Sequence, residues 1–279
     1  MIAVLADSAC DLPKAVLDQY KIYTIPMSII YKDKEYLDQV TITPQEVYDK
    51  MPTEVPTTSL PDREYGLNVL KQIEDEGYTD VLVVTISNVL SGTPNAIRIL
   101  SEEYPSMRFH FFDTKTLGVP EGVVVREAAK LVSKGLPINT VLKQLEEIRT
   151  RIKGYILVDT LEYLIKGGRL SKTAGAVGTV LNLKPIVSHN EEGKLYTHAK
   201  PRGKKQSRKQ LKEILEEHLK QSSCEVWVLH AASKPEADEF LESIKDLGGI
   251  TEIHSYQIGA AMGVHTGPQT IGVVVFNSK

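Results

Sequence analysis

Three short segments combine hydroxyl side chains with glycine or proline, and one of them adds a histidine. They read PTTSLP at residues 56–61, SNVLSGTP at 87–94 and GVHTGPQTIG at 263–272. Hydroxyls are poor metal ligands, and no carboxylates accompany them at ligand spacing, so the segments predict no metal site. Hydroxyl and imidazole groups suit an oxyanion such as a carboxylate better, because they can donate hydrogen bonds to it.

The segment around Ser91 admits more than one interpretation. Ser91, Gly92 and Thr93 precede a predicted helix, whose free backbone N–H groups attract negative charge, and Gly92 would allow an anion to approach closely. A purely structural alternative makes Thr93 the helix N-cap, followed by Pro94 in the first turn, with Ser91 as a turn residue.

A nucleophile is the third interpretation. Ser91, His265 and an acid such as Asp7 or Asp113 are the parts of a serine hydrolase triad, if the loops that carry them converge. The chain contains no GxSxG, GxGxxG, GxxxxGK[ST] or HExxH. These absences together disfavour nucleophile-elbow hydrolases, nucleotide-binding enzymes and zinc enzymes.

The composition is typical of a globular protein. The chain has 279 residues, 42% apolar and 25% charged, and its formal net charge of -3 gives no general reason to expect nucleic acid binding. It lacks both a signal peptide and the run of ~20 apolar residues that spans a membrane, so we expect a soluble, cytoplasmic protein. Cys10 and Cys224 stand far apart without a CxxC motif, which predicts neither a disulfide framework nor a cysteine metal site.

Apolar runs alternate with amphipathic segments in the first half of the chain. This pattern predicts an α/β fold with a mainly parallel sheet covered on both faces, and a ligand site at the carboxyl ends of its strands. The segment YKDKEYLD, with turn residues Asp33 and Lys34, predicts a small hairpin insertion at about 29–55. The predicted strands are 2–6, 22–31, 81–86 and 107–112, and the predicted helices are 13–20, 44–50, 62–76, 94–103, 122–134 and 139–151.

The second half predicts an α+β pattern, and we place the boundary between an N-terminal domain, 1–155, and a C-terminal domain, 156–279. Two helices rich in small residues are expected after residue 160, followed by a hairpin that turns at Glu192 and Gly193. The remaining predicted strands are 154–158, 225–230, 250–256 and 271–276, and the remaining helices are 204–221 and 235–247.

Six motifs, taken in order, resemble the DegV family of bacterial fatty acid-binding proteins over essentially the whole chain. They are DSACDL at 7–12, PTTSLP, ISNVLSGT at 86–93, LEYLIKGGRLS at 161–171, LNLKPI at 181–186 and HTGP at 265–268. The resemblance implies a two-domain α/β architecture that encloses a long-chain fatty acid in a buried tunnel between the domains. It implies that the carboxylate is held by Thr58, Ser59, Ser91 and His265, with possible support from Gly92, Thr93 and Gly267.

The same resemblance implies a partner. Some DegV proteins are the acyl-carrying subunit of a two-component fatty acid kinase, and present the carboxylate to a separate ATP-dependent subunit that makes acyl phosphate for phospholipid synthesis. The chain would then be a lipid-binding protein without its own ATP site, with no cofactor and a fatty acid as its ligand. We expect hydroxyls and a histidine to hold the carboxylate without a buried arginine.

A basic stretch, KPRGKKQSRKQLK at 200–212, crowds positive charge at the start of a predicted helix, where the helix dipole disfavours it. The resemblance implies that Arg202 engages the kinase. A solvated surface is the alternative, and nonspecific nucleic acid binding is a lesser one because the stretch lacks aromatic residues for stacking. Pro94, Pro120 and Gln269 depart from the family pattern near the expected head group, so a binding protein for another small amphiphile also stays open.

Overall fold

The computed structural model describes residues 1–171 and 182–278 of the chain. The strands in this part are β1 (Ile2–Asp7), β2 (Ile22–Ile25), β3 (Ser28–Ile30), β4 (Glu35–Leu37), β5 (Thr57–Ser59), β6 (Asp80–Thr85), β7 (Arg108–Asp113), β8 (Ile152–Leu157), β9 (Ile186–His189), β10 (Leu195–Ala199), β11 (Cys224–Ala231), β12 (Ile250–Gln257) and β13 (Thr270–Asn277). The helices are α1 (Lys14–Tyr20), α2 (Pro44–Lys50), α3 (Arg63–Asp75), α4 (Thr93–Ser101), α5 (Val119–Ser133), α6 (Ile138–Thr150), α7 (Glu162–Lys166), α8 (Lys204–Gln221), α9 (Lys234–Ile244) and α10 (Ala260–Thr266).

The first sheet has four parallel strands in the order β2-β1-β6-β7. Every residue of β6 is buried, as is typical of a parallel strand that is covered on both faces. The predicted α/β fold is thus confirmed. The single strand predicted at 22–31 is wrong, because the segment forms two strands in different sheets. Pro26 lies between them and has no N–H to continue a ladder.

A small sheet of three antiparallel strands, in the order β4-β3-β5, carries the predicted hairpin. The hairpin is confirmed by the pairing of Ile30 with Glu35. Its third strand, β5, comes from the PTTSLP segment and was not predicted as a strand. Thr58 pairs with Ile29 in this sheet, so the register of the strand sets the direction of its side chain.

The second sheet has six strands in the order β10-β9-β8-β13-β11-β12, and within it β11 and β12 are parallel whereas the other pairs are antiparallel. Strand β8 pairs with β13 from Ile152 to Leu157, so the boundary predicted at residue 155 falls inside a strand of this sheet. That boundary stays a prediction. Helix α7 is one of the two helices expected after residue 160, and the segment 172–181, which includes the first residue of LNLKPI, lies outside the described residues.

Helix α10 was not predicted, and it joins the second half of the chain to the small sheet and to α2. The ring of Tyr48 on α2 lies where a side chain at Gly263 would be, and its hydroxyl donates a hydrogen bond to the carbonyl of Ile258 at 2.8 Å. Close packing of this kind needs a residue without a side chain at position 263. No helix among the described residues is both long enough and apolar enough to cross a membrane.

Candidate functional site

A cavity of about 310 Å³ lies between the loops of the first half and one face of the second sheet. Its size falls within the range of small-molecule sites. The loops that follow β1, β2, β6 and β7 all reach it, so it lies at the carboxyl ends of the parallel strands. Apolar side chains make up most of its wall, among them Met27, Ile86, Leu117, Ile156, Val187 and Val274.

One end of the cavity is polar and reaches the surface. Thr58 Oγ1 and His265 Nε2 lie 2.8 Å apart in a hydrogen bond that joins β5 to α10. Ser59, Ser91 and Gly92 line the same cavity. Ser59 and Gly92 are exposed, whereas Thr58 and Ser91 are half-buried. The structure thus brings together the four residues expected to hold a carboxylate, at a mouth open to solvent.

The three residues expected to support this mouth differ in position. Gly92 lines the cavity and is the N-cap of α4, so the helix begins at Thr93 and the prediction of Thr93 as its N-cap is wrong by one residue. Ser91 Oγ accepts a hydrogen bond from the backbone N–H of Thr93 at 3.2 Å, which satisfies one of the free N–H groups at the start of α4. Gly267 ends α10 with φ 78°, and a side chain there would overlap the ring of Tyr163.

His265 is a neutral imidazole at neutral pH. Burial lowers its pKa to about 4, and the positive charge of Arg169 contributes in the same direction. The residue is 9% exposed, and within the described part of the chain its Nδ1 has no hydrogen-bond partner. A Cβ at Gly167 would overlap this Nδ1, so the absence of a side chain at Gly167 makes room for the ring.

Arg169 is a cavity residue that sequence reasoning missed. Its Nε donates to the carbonyl of Leu90 at 3.2 Å and its Nη1 donates to the carbonyl of Gly167 at 2.6 Å, which holds a half-buried guanidinium on the cavity wall. Burial lowers the pKa of Arg169, but it remains a cation. The expectation that hydroxyls and a histidine hold the carboxylate without a buried arginine did not include this half-buried guanidinium, and it stays a prediction. The sequence signal that could have identified Arg169 is its place in GGRLS, the last part of the family motif LEYLIKGGRLS.

The described residues do not form a hydrolase triad. Ser91 Oγ is hydrogen-bonded to Thr93, and His265 is hydrogen-bonded to Thr58 instead of Ser91. Asp7 accepts hydrogen bonds from the backbone of Ala9 and Ile86, and Asp113 from Asn88 and Lys115, so neither acid orients the imidazole. The hydrolase interpretation lacks the geometry that it requires.

Arg202 lies outside the cavity. It is exposed, it precedes Gly203, the N-cap of α8, and it forms no ion pair within residues 1–171 and 182–278. Several other cations of the basic stretch are paired: Lys204 with Glu236, Arg208 with Glu239 and Lys209 with Glu213. These pairs neutralise much of the stretch, which weakens the nucleic acid interpretation.

The three departures from the family pattern also differ in position. Pro120 lines the cavity and packs so closely on Gly154 that a Cβ there would lie 2.6 Å from Pro120 Cγ. Pro94 is buried in the first turn of α4. Gln269 has φ 60° and donates its backbone N–H to Ala231. Of the three, Pro120 is the residue that can shape the cavity directly.

Fold and cavity together define an α/β protein that surrounds an apolar cavity with a polar mouth. A family model described as "Uncharacterised protein, DegV family" matches residues 1–278. The chain belongs to the DegV family.

Similar proteins extend over the same length. A DegV domain-containing protein of Clostridium acetobutylicum is 42% identical over 275 residues, which are 99% of this chain and 98% of that protein. The solved structure of a fatty acid-binding DegV family protein from Thermus thermophilus has a TM-score of 0.90 at 27% identity and covers 99% of both chains. A stearic acid-binding protein from Eubacterium ventriosum has a TM-score of 0.86 at 27% identity, over 99% of this chain and 98% of that one.

Proposed function

We propose that this protein binds a long-chain fatty acid in the cavity and presents its carboxylate to a separate, ATP-dependent fatty acid kinase subunit. The observation that carries the proposal is a largely apolar cavity with hydroxyl and imidazole groups at its mouth, where Thr58 and His265 lie 2.8 Å apart. Solved DegV proteins that bind fatty acids have the same fold, which supports a ligand of this class.

The acyl tail supplies most of the binding free energy. Burying ~14 methylenes at about 0.8 kcal/mol each contributes roughly 11 kcal/mol before the cost of ordering the chain. A carboxylate left without partners at the cavity mouth would cost several kcal/mol. Hydrogen bonds from Thr58, Ser91 and His265, with Ser59 at the rim, would offset this cost and hold the head group in one place.

The electrostatics of the mouth suit a carboxylate. Because His265 is neutral, it donates a hydrogen bond from one ring nitrogen without adding a fixed charge. The guanidinium of Arg169 adds a positive charge on the cavity wall, and this charge would balance the single negative charge of a carboxylate ligand. An acid held at an open mouth stays within reach of a phosphoryl donor, which supports presentation to a kinase.

Arg202 is our proposed contact for the kinase subunit. It is a cation without an ion pair in the described residues, and it lies beside helix α8, in which three of the six lysines and arginines are in ion pairs. A free arginine on the surface can bind a carboxylate of a partner protein by two parallel hydrogen bonds.

The first test is to identify what the purified protein carries. Denaturing the protein and analysing the extract by mass spectrometry should reveal a fatty acid at close to one molecule per chain. Replacing Ser91 with Ala should leave a fatty acid bound, because the tail dominates affinity, but should slow acyl phosphate formation by about tenfold or more when kinase subunit and ATP are added. Protein that is empty and also ignores added fatty acid would overturn the proposal.

The partner is tested by the charge at position 202. Arg202→Ala should keep its fatty acid and lose association with the kinase subunit, as measured by size-exclusion chromatography and acyl phosphate formation. Lys205→Ala is the matched control, because it also removes an exposed cation from the start of the same helix. Equal association of both variants with the kinase would contradict the role of Arg202 while leaving fatty acid binding intact.

A further inference from the structure

The wall of the cavity carries a second imidazole that the proposed function does not use. His189 ends β9 and is 8% exposed. Side chains alternate along a strand, so His189 shares a face with the cavity residue Val187. Leu195, which also lines the cavity, is paired with His189 in the neighbouring strand. A polar ring thus stands among apolar side chains.

One nitrogen of this ring has a protein partner. His189 Nδ1 lies 3.2 Å from Oγ1 of Thr116, a buried residue in the loop after β7. Within residues 1–171 and 182–278, no hydrogen bond to its Nε2 is found. A buried imidazole normally satisfies both nitrogens, so the free one is open to a group that enters the cavity.

We infer that the cavity selects acyl chains that carry a hydroxyl group on their hydrocarbon part, with Nε2 of His189 as the partner of that hydroxyl. This deepens the proposed function and rests on it. His189 and His265 belong to different elements, β9 and α10, so the polar contact to the chain is separate from the contact to the carboxylate.

A hydroxyl fits better than other polar groups because the ring is neutral. Burial lowers the pKa of His189 to about 4, and the charge of Lys153 contributes in the same direction. If the hydroxyl of Thr116 donates to Nδ1, then Nε2 carries the proton and donates. If Nδ1 donates to Thr116, then Nε2 accepts. A hydroxyl satisfies either tautomer, whereas a second carboxylate would be buried there against a neutral ring.

The test compares stearic acid with stearic acids hydroxylated at successive mid-chain carbons and at the terminal carbon. With delipidated protein, the best hydroxylated isomer should bind about tenfold more tightly than stearic acid, because it pairs Nε2 where a methylene leaves it unpaired. His189→Leu should abolish or reverse this preference and bind stearic acid at least as well as the wild type.

The controls separate this inference from the proposed function. His198→Leu removes an exposed imidazole from the neighbouring β10 and should keep the wild-type preference. His189→Gln retains a hydrogen-bonding side chain and should keep part of it. If the wild type binds stearic acid but prefers no hydroxylated isomer, or if His189→Leu keeps the preference, the inference is wrong and the proposed function stands. If no acid binds, both are wrong.

Discussion

The position of His265 depends on a residue that has no side chain. The ring is hydrogen-bonded to Thr58 at Nε2, and its Nδ1 lies over Gly167. Gly167 ends α7 with an ordinary right-handed backbone conformation, φ -71° and ψ -9°. Alanine could therefore adopt this backbone, and the space taken by His265 is what demands glycine.

Gly167→Ala should displace His265 and weaken fatty acid binding by about tenfold, since the contact between Thr58 and His265 would be lost. Overpacking should also lower the free energy of unfolding by roughly 1–3 kcal/mol. Fatty acid titration and urea unfolding measure the two effects. Gly248→Ala is the control, because a Cβ there meets nothing within 4 Å. Wild-type affinity in Gly167→Ala would show that His265 is not held by this packing.

Residue types predicted only part of the mouth. Hydroxyls and a histidine beside glycine or proline singled out three segments, because such side chains donate hydrogen bonds to anions, and the resemblance to the DegV family then implied Thr58, Ser91 and His265 within them. The sequence signal for Arg169 was its place in the GGRLS part of a family motif, and Gly167 carries no local signal of its role. Their importance comes from what lies opposite them in space, the cavity for Arg169 and the ring of His265 for Gly167, and spacing along the chain does not contain that information.

At the scale of elements, a pair of buried acids connects β1, β6 and α5. Asp7 accepts hydrogen bonds from the backbone of Ala9 at 2.9 Å and of Ile86 at 3.0 Å. Glu121 on α5 is fully buried like Asp7 and interacts with it electrostatically, and among the described residues its two carboxyl oxygens have no hydrogen-bond partner. Burial raises the pKa of Asp7 to about 7 and that of Glu121 well above its ordinary value, and the negative charge of Asp7 raises the pKa of Glu121 further.

This pair makes stability depend on pH. The unfolded chain releases the Glu121 proton at about pH 4.5, whereas the folded chain keeps it to a higher pH. The folded state therefore binds more protons in that window, and the contribution of Glu121 to the free energy of unfolding falls by up to ~1.4 kcal/mol per pH unit as pH rises.

Glu121→Gln should remove the part of this dependence that comes from Glu121, because glutamine has a similar shape and stays neutral, whereas Asp7 keeps its own raised pKa. We expect the free energy of unfolding of Glu121→Gln to match the wild type within about 1 kcal/mol at about pH 5 and to exceed it at about pH 8, because the difference grows by up to ~1.4 kcal/mol per pH unit. Urea unfolding over this range measures the difference. If the free energies of unfolding of the wild type and of Glu121→Gln change in parallel from acid to alkaline pH, then Glu121 is not a neutral acid in the folded protein.

Elements were predictable where the local pattern was strong. Thr43 and Glu46 form a capping box at the start of α2, and Gly77 and Gly135, both at positive φ, follow the ends of α3 and α5, so these helix boundaries coincide with residue types that are typical of helix ends. Strand β5 has three residues and exists because it pairs with β3, which leaves little periodicity to detect. Helix α10 contains small residues and a glycine whose close packing against α2 stabilises it, so its helical character depends on tertiary contacts.

At the scale of the whole molecule, the cavity has walls from both halves of the chain, so the ligand and the contacts between halves should depend on one another. The hairpin of β9 and β10 crosses this junction. Gly193 lies at its turn with φ 81°, and a Cβ there would overlap Ser87 Oγ and lie 3.0 Å from Cα of Lys115. Ser87 and Lys115 follow β6 and β7 of the first sheet. The turn thus holds β9, and with it His189, against the first half.

Gly193→Ala should open this junction. The added methyl meets backbone and a buried hydroxyl, so the hairpin must move away, and a bound fatty acid should leave about tenfold faster than from the wild type. Gly135→Ala is the matched control, because Gly135 has a similar φ of 71° with nothing within 4 Å.

Both variants should lose roughly 1–3 kcal/mol of stability from backbone strain, which thermal unfolding of the delipidated proteins measures. Only Gly193→Ala should also release its ligand faster, as followed by transfer of a fluorescent fatty acid to acceptor vesicles. The comparison separates two effects of the substitution. Both glycines have a positive φ, so both variants are strained, but only Gly193 lies against the first half of the chain at the cavity. Equal release rates from the two variants would show that the hairpin turn does not retain the ligand, and that the second sheet encloses it without this contact.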